Sequence, residues 1–162
     1  MIKRYILPVL IFLGCSDTTD KQFPDHSSII NEYYQTYQER KDFDKFLSFY
    51  DQNIILEDVI SGDRIEGIEA FKQLFDWNNP NFVLTDSVAL VVTNQIINKN
   101  MVSTQGYFTP FNWSGTLTEA MHFSTILELN EKGKIIKQTD WINYPSTLID
   151  YKNRKNSNDW LK

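Results

Sequence analysis

The distribution of hydrophobic positions in the first half of the chain predicts three helices. Ile30, Tyr34 and Tyr37 recur at intervals of three and four residues, which is the spacing of one face of an amphipathic helix. The same spacing returns in two later segments, so the predicted helices cover residues 27–41, 42–51 and 68–77. The polar run at residues 78–81 contains a proline and ends the third helix.

The remaining segments are rich in β-branched and aromatic residues and predict strands. A first strand over residues 54–60 precedes the third helix and ends at a turn over residues 61–63. Gly133 and the pair Ser114-Gly115 mark hairpin turns, and Gly133 suits a positive φ angle. Four further strand segments follow the third helix: residues 82–94, 101–113, 118–130 and 134–144.

This order of elements predicts an α+β fold. We expect three N-terminal helices to pack on a curved antiparallel sheet and to leave a cavity between the two layers. The predicted domain spans residues 27–150, which is the size of one ordinary domain, and a polar tail follows at residues 151–162.

The first fifteen residues follow the pattern of an export signal instead. Two basic residues precede an apolar run over residues 5–13, which is too short to span a bilayer but fits the core of a secretory signal. Gly14 directly before Cys15 resembles the lipobox of bacterial lipoproteins, in which the cysteine carries the lipid. The alternative is a buried N-terminal helix with an incidental cysteine, but nothing after Cys15 continues the apolar pattern.

The prediction is therefore a signal peptide at residues 1–14 and a polar tether at residues 15–26 that contains an inert His26. Lipid on Cys15 would anchor the domain in the cell envelope, outside the cytoplasm. The inner membrane, the outer membrane and the cell surface all stay open. Cys15 is the single cysteine of the chain, so an intramolecular disulfide is excluded.

The composition and net charge of the chain limit the classes of molecule that it is expected to bind. The net charge is −5 and no basic run is present, which argues against nucleic acid. No glycine-rich phosphate loop and no metal-ligand spacing occur, so we expect neither a cofactor nor a metal. Aromatic residues make up 14% of the chain, which favours an aromatic-lined core or pocket for a small apolar molecule.

The element order resembles the nuclear transport factor 2-like superfamily, which includes SnoaL-like cyclases and ketosteroid isomerases. The resemblance covers about residues 27–145 and is most specific over residues 34–58. Its motifs are Lys41-Asp42-Phe43-Asp44, Phe49-Tyr50-Asp51, Leu56-Glu57-Asp58, Gly67-Ile68-Glu69-Ala70-Phe71 and Gly133-Lys134-Ile135 followed by Asp140-Trp141. The resemblance implies a cone-shaped pocket, and homodimers formed through the outer face of the sheet.

The resemblance also implies roles for individual residues. Asp58 matches the general base of the isomerases, Tyr34 the phenol that donates to the oxyanion, and Tyr50 a supporting tyrosine. The protonated acid of the isomerase oxyanion hole falls on Thr125, whose hydroxyl is a weaker donor, which argues against steroid isomerisation. Asp140 matches an acid/base aspartate on the last strand of the SnoaL-like cyclases.

The orientation of both carboxylates stays open at this point. Asp58 is either a base in the pocket or a carboxylate that caps the turn at residues 61–63. Asp140 reaches the pocket only if it points inward in place of Trp141. The further residues expected to bind a ligand are Tyr50, Phe123, Thr125, Gln138 and Trp113, although Trp113 and its aromatic neighbours equally suit a core or dimer interface.

His122 depends on the length of the last hairpin loop. A loop of residues 130–133 puts Phe123 opposite Asp140 and turns His122 outward, whereas a loop of residues 131–133 puts Ser124 there and turns His122 inward. The first alternative agrees better with the superfamily.

Three functions remain: a binding module for a small apolar or aromatic ligand, a cofactor-free acid/base enzyme acting on a carbonyl compound, or a non-catalytic dimerising partner of another envelope protein.

Overall fold

The computed structural model describes residues 25–161. The predicted signal peptide, the lipidation at Cys15 and most of the tether lie outside these residues. His26 lies inside them and is only 2% exposed, with its ring beside Gly133. Its carbonyl accepts a 3.0 Å hydrogen bond from the Ile30 N–H at the start of the first helix. The folded domain thus includes a residue that we expected in the tether.

Three helices form where periodicity predicts them: α1 (Ser27–Glu39), α2 (Phe43–Ser48) and α3 (Ile68–Leu74). Helix α1 ends at Arg40, which adopts a left-handed conformation with φ of 47°. Helix α2 is capped by Asp42, whose carboxylate accepts a 2.8 Å hydrogen bond from the Lys45 N–H. All three helices are shorter than predicted at their C-terminal ends.

The strands form two sheets. A six-stranded sheet has the order β2-β1-β9-β8-β5-β4, and a three-stranded sheet has the order β3-β6-β7. The strands are β1 (Tyr50–Asp58), β2 (Asp63–Glu66), β3 (Phe82–Leu84), β4 (Leu90–Asn98), β5 (Met101–Phe108), β6 (Phe111–Trp113), β7 (Thr116–Thr118), β8 (Met121–Leu129) and β9 (Ile135–Ile142).

The six-stranded sheet is antiparallel as predicted except at one pairing, because β1 and β9 pair in parallel. Hairpins force neighbouring strands to be antiparallel, but β1 and β9 are joined by most of the chain, which leaves their relative direction free. The predicted long strands at 82–94 and 101–113 are also divided. Their outer pieces, β3 and β6, pair with each other and with β7 as a separate small sheet.

Both predicted hairpin turns have the expected backbone. Ser114 and Gly115 have φ angles of 51° and 81°, and Gly133 has a φ of 73°.

The core between the helices and the six-stranded sheet is largely aromatic. Phe46 at its centre is fully buried, and its ring contacts those of Tyr33, Tyr37, Phe43, Tyr50, Phe71, Phe75 and Trp77. Tyr33, Tyr37 and Phe75 of this cluster also line the cavity described below.

The polar segment that follows residue 150 packs back on the domain. The Tyr151 hydroxyl donates to the Tyr144 carbonyl at 2.6 Å, and Lys155 forms a 2.9 Å ion pair with Asp63. The backbone of Lys155 lies against Gly62, where any side chain would collide with its carbonyl oxygen. These contacts extend the domain past residue 150 and over the turn between β1 and β2.

Gly62→Ala should displace this segment. Gly62 has a φ of 78°, so alanine costs about 1–2 kcal/mol for the backbone alone, and the collision with Lys155 adds to it. Gly115→Ala is the matched control, because Gly115 has a φ of 81° with no atom within 4 Å of the added Cβ. We expect protease cleavage after residue 150 to accelerate in Gly62→Ala only. Equal cleavage of the two variants would contradict the packing described.

Candidate functional site

The open end of the cone is a cavity of about 660 Å³ between the helices, the sheet and the segment after β9. That volume suits a small organic molecule. One wall is apolar, with Leu56, Leu90, Phe108, Phe111, Met121 and Phe123. The polar groups that line the cavity are gathered chiefly on β1, β8, β9 and α1, and include Tyr34, Asp58, Thr125, Gln138, Asp140 and Tyr144.

Asp140 lies on the inner face of β9 and is 5% exposed, whereas the following Trp141 is 38% exposed on the outer face. Its carboxylate accepts hydrogen bonds from the Thr125 hydroxyl at 2.6 Å and from the Gln138 amide at 2.7 Å. Burial raises the pKa of Asp140 from its ordinary value of 3.8 to about 7, and these two hydrogen bonds only partly oppose that effect. A carboxyl group with such a pKa can accept or donate a proton near neutral pH.

A chain of hydrogen bonds holds Asp140 from behind. The Tyr50 hydroxyl donates to the Gln138 oxygen at 2.8 Å, which fixes the Gln138 amide so that its nitrogen faces Asp140. The Tyr33 hydroxyl is 2.8 Å from that of Tyr50. Tyr50 thus supports the site from within the core and does not line the cavity. Tyr33 is part of the same chain of hydrogen bonds, and it was not predicted from the sequence as a site residue.

Asp58 lies beside Asp140, because the two are partners in the parallel β1–β9 register. It caps the turn after β1: its Oδ1 accepts from the N–H groups of Ile60 and Ser61, both at 2.9 Å. Its Oδ2 accepts from the Tyr144 hydroxyl at 2.5 Å. Asp58 therefore lines the cavity and also caps the turn, and its oxygens accept more hydrogen bonds than those of Asp140.

Tyr34 projects from α1 into the cavity and is 6% exposed. Its hydroxyl lies beside Thr104 but makes no hydrogen bond of ordinary geometry within residues 25–161. Burial raises the pKa of the phenol, and the nearby Asp140 carboxylate raises it further. The group therefore stays protonated, and its O–H is a buried donor without a partner of ordinary geometry in residues 25–161.

Neither alternative gives the observed partner of Asp140, which is Thr125 and not Phe123 or Ser124. At the loop, Leu129 pairs with Ile135 and the Asn130 N–H donates to the Lys134 carbonyl, which is the register of a loop of residues 131–133. A bulge between Glu128 and Leu129 then shifts the pairing by one more residue, so the net shift is two residues relative to the first alternative. A shift of two keeps every side chain on its face. Phe123 and Thr125 therefore point inward with Asp140, and His122 is exposed on the outer face.

Two features of the site carry no sequence signal. Tyr144 lies at the end of the predicted strand 134–144 but beyond β9 in the structure, and its hydroxyl donates to Asp58. Arg40 lies just beyond α1 and lines the cavity mouth. Trp113, which we expected in the pocket or an interface, lines the mouth and is 40% exposed.

Within residues 25–161 no three acidic, histidine or cysteine side chains are grouped as metal ligands. No helix in that range is long and apolar enough to cross a membrane.

No protein-family model and no curated protein matches the sequence. Solved structures do match the fold. One, from Shewanella putrefaciens CN-32 and assigned as a SnoaL-like polyketide cyclase, superposes with a TM-score of 0.61 at 15% identity, covering 75% of this chain and 92% of that one. An NTF-2-like protein of unknown function from Burkholderia xenovorans LB400 gives 0.55 at 21% identity, covering 74% and 84%. An LEH-like epoxide hydrolase from M. tuberculosis gives 0.59 at 13% identity, covering 73% and 82%.

The chain therefore has the α+β cone fold of the nuclear transport factor 2-like superfamily, as the element order predicted. Identities this low establish the fold alone, and proteins with this fold bear the names of cyclases and of an epoxide hydrolase. The reaction or ligand of this chain therefore depends on the side chains that line its cavity.

Proposed function

We propose that this domain binds a small, largely apolar carbonyl compound in its cavity and performs cofactor-free acid/base chemistry on it, with Asp140 as the base. The observation that carries the proposal is a carboxyl group, 5% exposed, whose pKa burial raises to about 7 at the wall of an open apolar cavity. Perturbed acids in such positions are typical of catalytic sites.

Tyr34 supplies the second group that the reaction needs. Removal of a proton α to a carbonyl builds negative charge on the carbonyl oxygen, and a phenol that donates to that oxygen stabilises the charge. Among the described residues, the Tyr34 hydroxyl makes no hydrogen bond of ordinary geometry that a ligand would have to displace. Tyr144 holds the Asp58 carboxylate by a hydrogen bond, and the charge of Asp58 raises the pKa of Asp140 further.

The test is hydrogen exchange on a panel of small cyclic and aryl ketones in D₂O, followed by proton NMR. We expect the protein to accelerate α-proton exchange in at least one ketone and Asp140→Asn to lower that rate by about 10²–10⁴-fold. Asp44→Asn, an exposed aspartate on α2, is the matched control and should leave the rate unchanged. Full activity in Asp140→Asn would eliminate Asp140 as the base.

A binding module without catalysis is the second candidate. It is favoured by the engagement of both oxygens of each carboxylate with protein donors. Ketones that raise the melting temperature of the protein without any acceleration of their α-proton exchange would support the binding module. A purely structural role as a dimerising partner needs no cavity, and an open space of 660 Å³ disfavours it.

We further propose that the domain is a lipoprotein of the cell envelope, anchored through Cys15 and held off the membrane by the polar residues that follow. The support is the sequence alone: a short apolar run that ends in Gly14-Cys15.

Cys15→Ala should abolish incorporation of radiolabelled palmitate and move the protein from the membrane fraction to the soluble fraction. Two or more acyl chains account for stable anchoring, so their loss leaves no comparable attachment. Ser16→Ala is the control and should keep both the label and the membrane fraction. Membrane association of Cys15→Ala equal to wild type would refute the anchor.

A further inference from the structure

Arg40 is positioned at the cavity mouth by the end of α1. Its backbone N–H closes the last turn on the Thr36 carbonyl at 3.1 Å, and its φ of 47° turns the chain out of the helix. The guanidinium carbon lies 5.0 Å from the ring centre of Trp77 and 4.2 Å from that of Phe82. These ring contacts fix the cation in place without using any of its hydrogen-bond donors.

The other two cations that line the cavity are engaged. Lys155 is paired with Asp63 at 2.9 Å, and Arg154 donates to the Ile60 carbonyl. The Arg40 side chain, by contrast, makes no hydrogen bond and no ion pair with any residue in the range 25–161, although Asp76 is close enough to favour its charge. Arg40 is half-buried, and its N–H donors form a planar fork that matches an oxyanion.

The charges of the cavity orient an anionic ligand. Asp58 and Asp140 lie side by side on neighbouring strands and repel a negative group, while Arg40 attracts one at the mouth. A ligand with an apolar body and one oxyanion would therefore enter with its neutral part towards Asp140.

We propose that Arg40 binds the oxyanion of an amphipathic ligand, a carboxylate or a group of like geometry, whose apolar body fills the cavity. The inference rests on the function proposed above and specifies the substrate class: an apolar carbonyl compound that also carries an acid group. Arg40 sets specificity, and Asp140 and Tyr34 lie at the neutral part of the molecule.

Two dyes of nearly the same shape test this. N-phenyl-1-naphthylamine is neutral, and 8-anilinonaphthalene-1-sulfonate adds one sulfonate; both fluoresce in apolar sites. Arg40→Met keeps an apolar side chain against Trp77 and Phe82 but removes the charge. This variant should bind the sulfonate dye about tenfold more weakly than wild type does, and its affinity for the neutral dye should change by less than about twofold. Arg40→Lys should fall between, because it keeps the charge without the fork.

Lys41→Met is the matched control, since it removes a neighbouring charge that is exposed and paired with Glu39 at 3.5 Å. It should leave the affinity for both dyes unchanged. Equal affinity of wild type and Arg40→Met for the sulfonate dye, with the neutral dye bound, would overturn the role of Arg40 and leave the cavity proposal intact. Binding of the sulfonate dye alone, lost in Arg40→Met, would support Arg40 but count against a neutral ligand. Failure of both dyes to bind wild type would overturn both proposals.

Discussion

Asp140→Asn is expected to stabilise the protein at neutral and alkaline pH, although it removes the proposed base. The folded state holds a proton on Asp140 up to about pH 7, while the unfolded chain releases it near 3.8. Between these values the unfolded chain binds fewer protons, so the free energy of unfolding falls as the pH rises. Above pH 7 the loss is complete and amounts to about 4 kcal/mol from a shift of that size.

Asparagine avoids this cost because it carries no charge and has nearly the same shape. The Thr125 hydroxyl can still donate to its oxygen. Gln138 has to turn its amide so that its oxygen accepts from the new NH₂ group, and its nitrogen then donates to Tyr50. The Tyr33–Tyr50 pair permits this reversal, since either hydroxyl can be the donor in that bond.

The measurement is urea denaturation of wild type, Asp140→Asn and Asp44→Asn at pH 5 and pH 8. The advantage of Asp140→Asn over wild type should grow by about 3 kcal/mol between the two, and Asp44→Asn should follow wild type. A gain in stability joined to a loss of exchange activity is the behaviour of a carboxylate kept for its chemistry. If Asp140→Asn were destabilised equally at both pH values, the Asp140 carboxylate would instead have a structural role.

The sequence predicts the layers of this fold better than their connections. Periodicity locates α1, α2 and α3 because each buries one face, and that signal is local. The parallel pairing of β1 with β9 is decided by how the intervening strands curve, and no local pattern records it. It matters for the site, because that register sets Asp58 next to Asp140.

The face on which each residue lies was easier to predict than its partner. The loop of residues 131–133 and the bulge after Glu128 together change the partner of Asp140 from Phe123 to Thr125 without changing which side chains point inward. Arg40, Tyr144 and the segment after residue 150 were missed or placed outside the domain for another reason. Arg40 lies in the predicted helix at 27–41 and Tyr144 in the predicted strand at 134–144, where the local pattern marks neither as a site residue. Only tertiary packing brings them and the polar segment to the cavity.

Phe46→Ala is expected to cost about 3–5 kcal/mol of unfolding free energy, a large part of the stability of an ordinary domain. Phe46 is fully buried, and its ring contacts those of Tyr33 and Tyr50 at 5.6 and 5.3 Å. The void left by alanine adjoins the rings of the two tyrosines whose hydroxyls form the chain of hydrogen bonds to Gln138. The change should therefore also loosen the proposed base, which a small loss of stability elsewhere would not do.

Phe43→Ala is the matched control, because Phe43 lies on the same helix and packs on Phe46 but is only half-buried. It should cost clearly less in urea denaturation, and Phe46→Leu should recover much of the loss by refilling the space. The pH dependence separates the two effects of Phe46→Ala. Water that enters beside Tyr50 would lower the pKa of Asp140 towards its ordinary value, so the decline in stability between pH 5 and pH 8 should flatten in this variant. An undiminished decline would mean that the aromatic core and the carboxylate network are energetically separate.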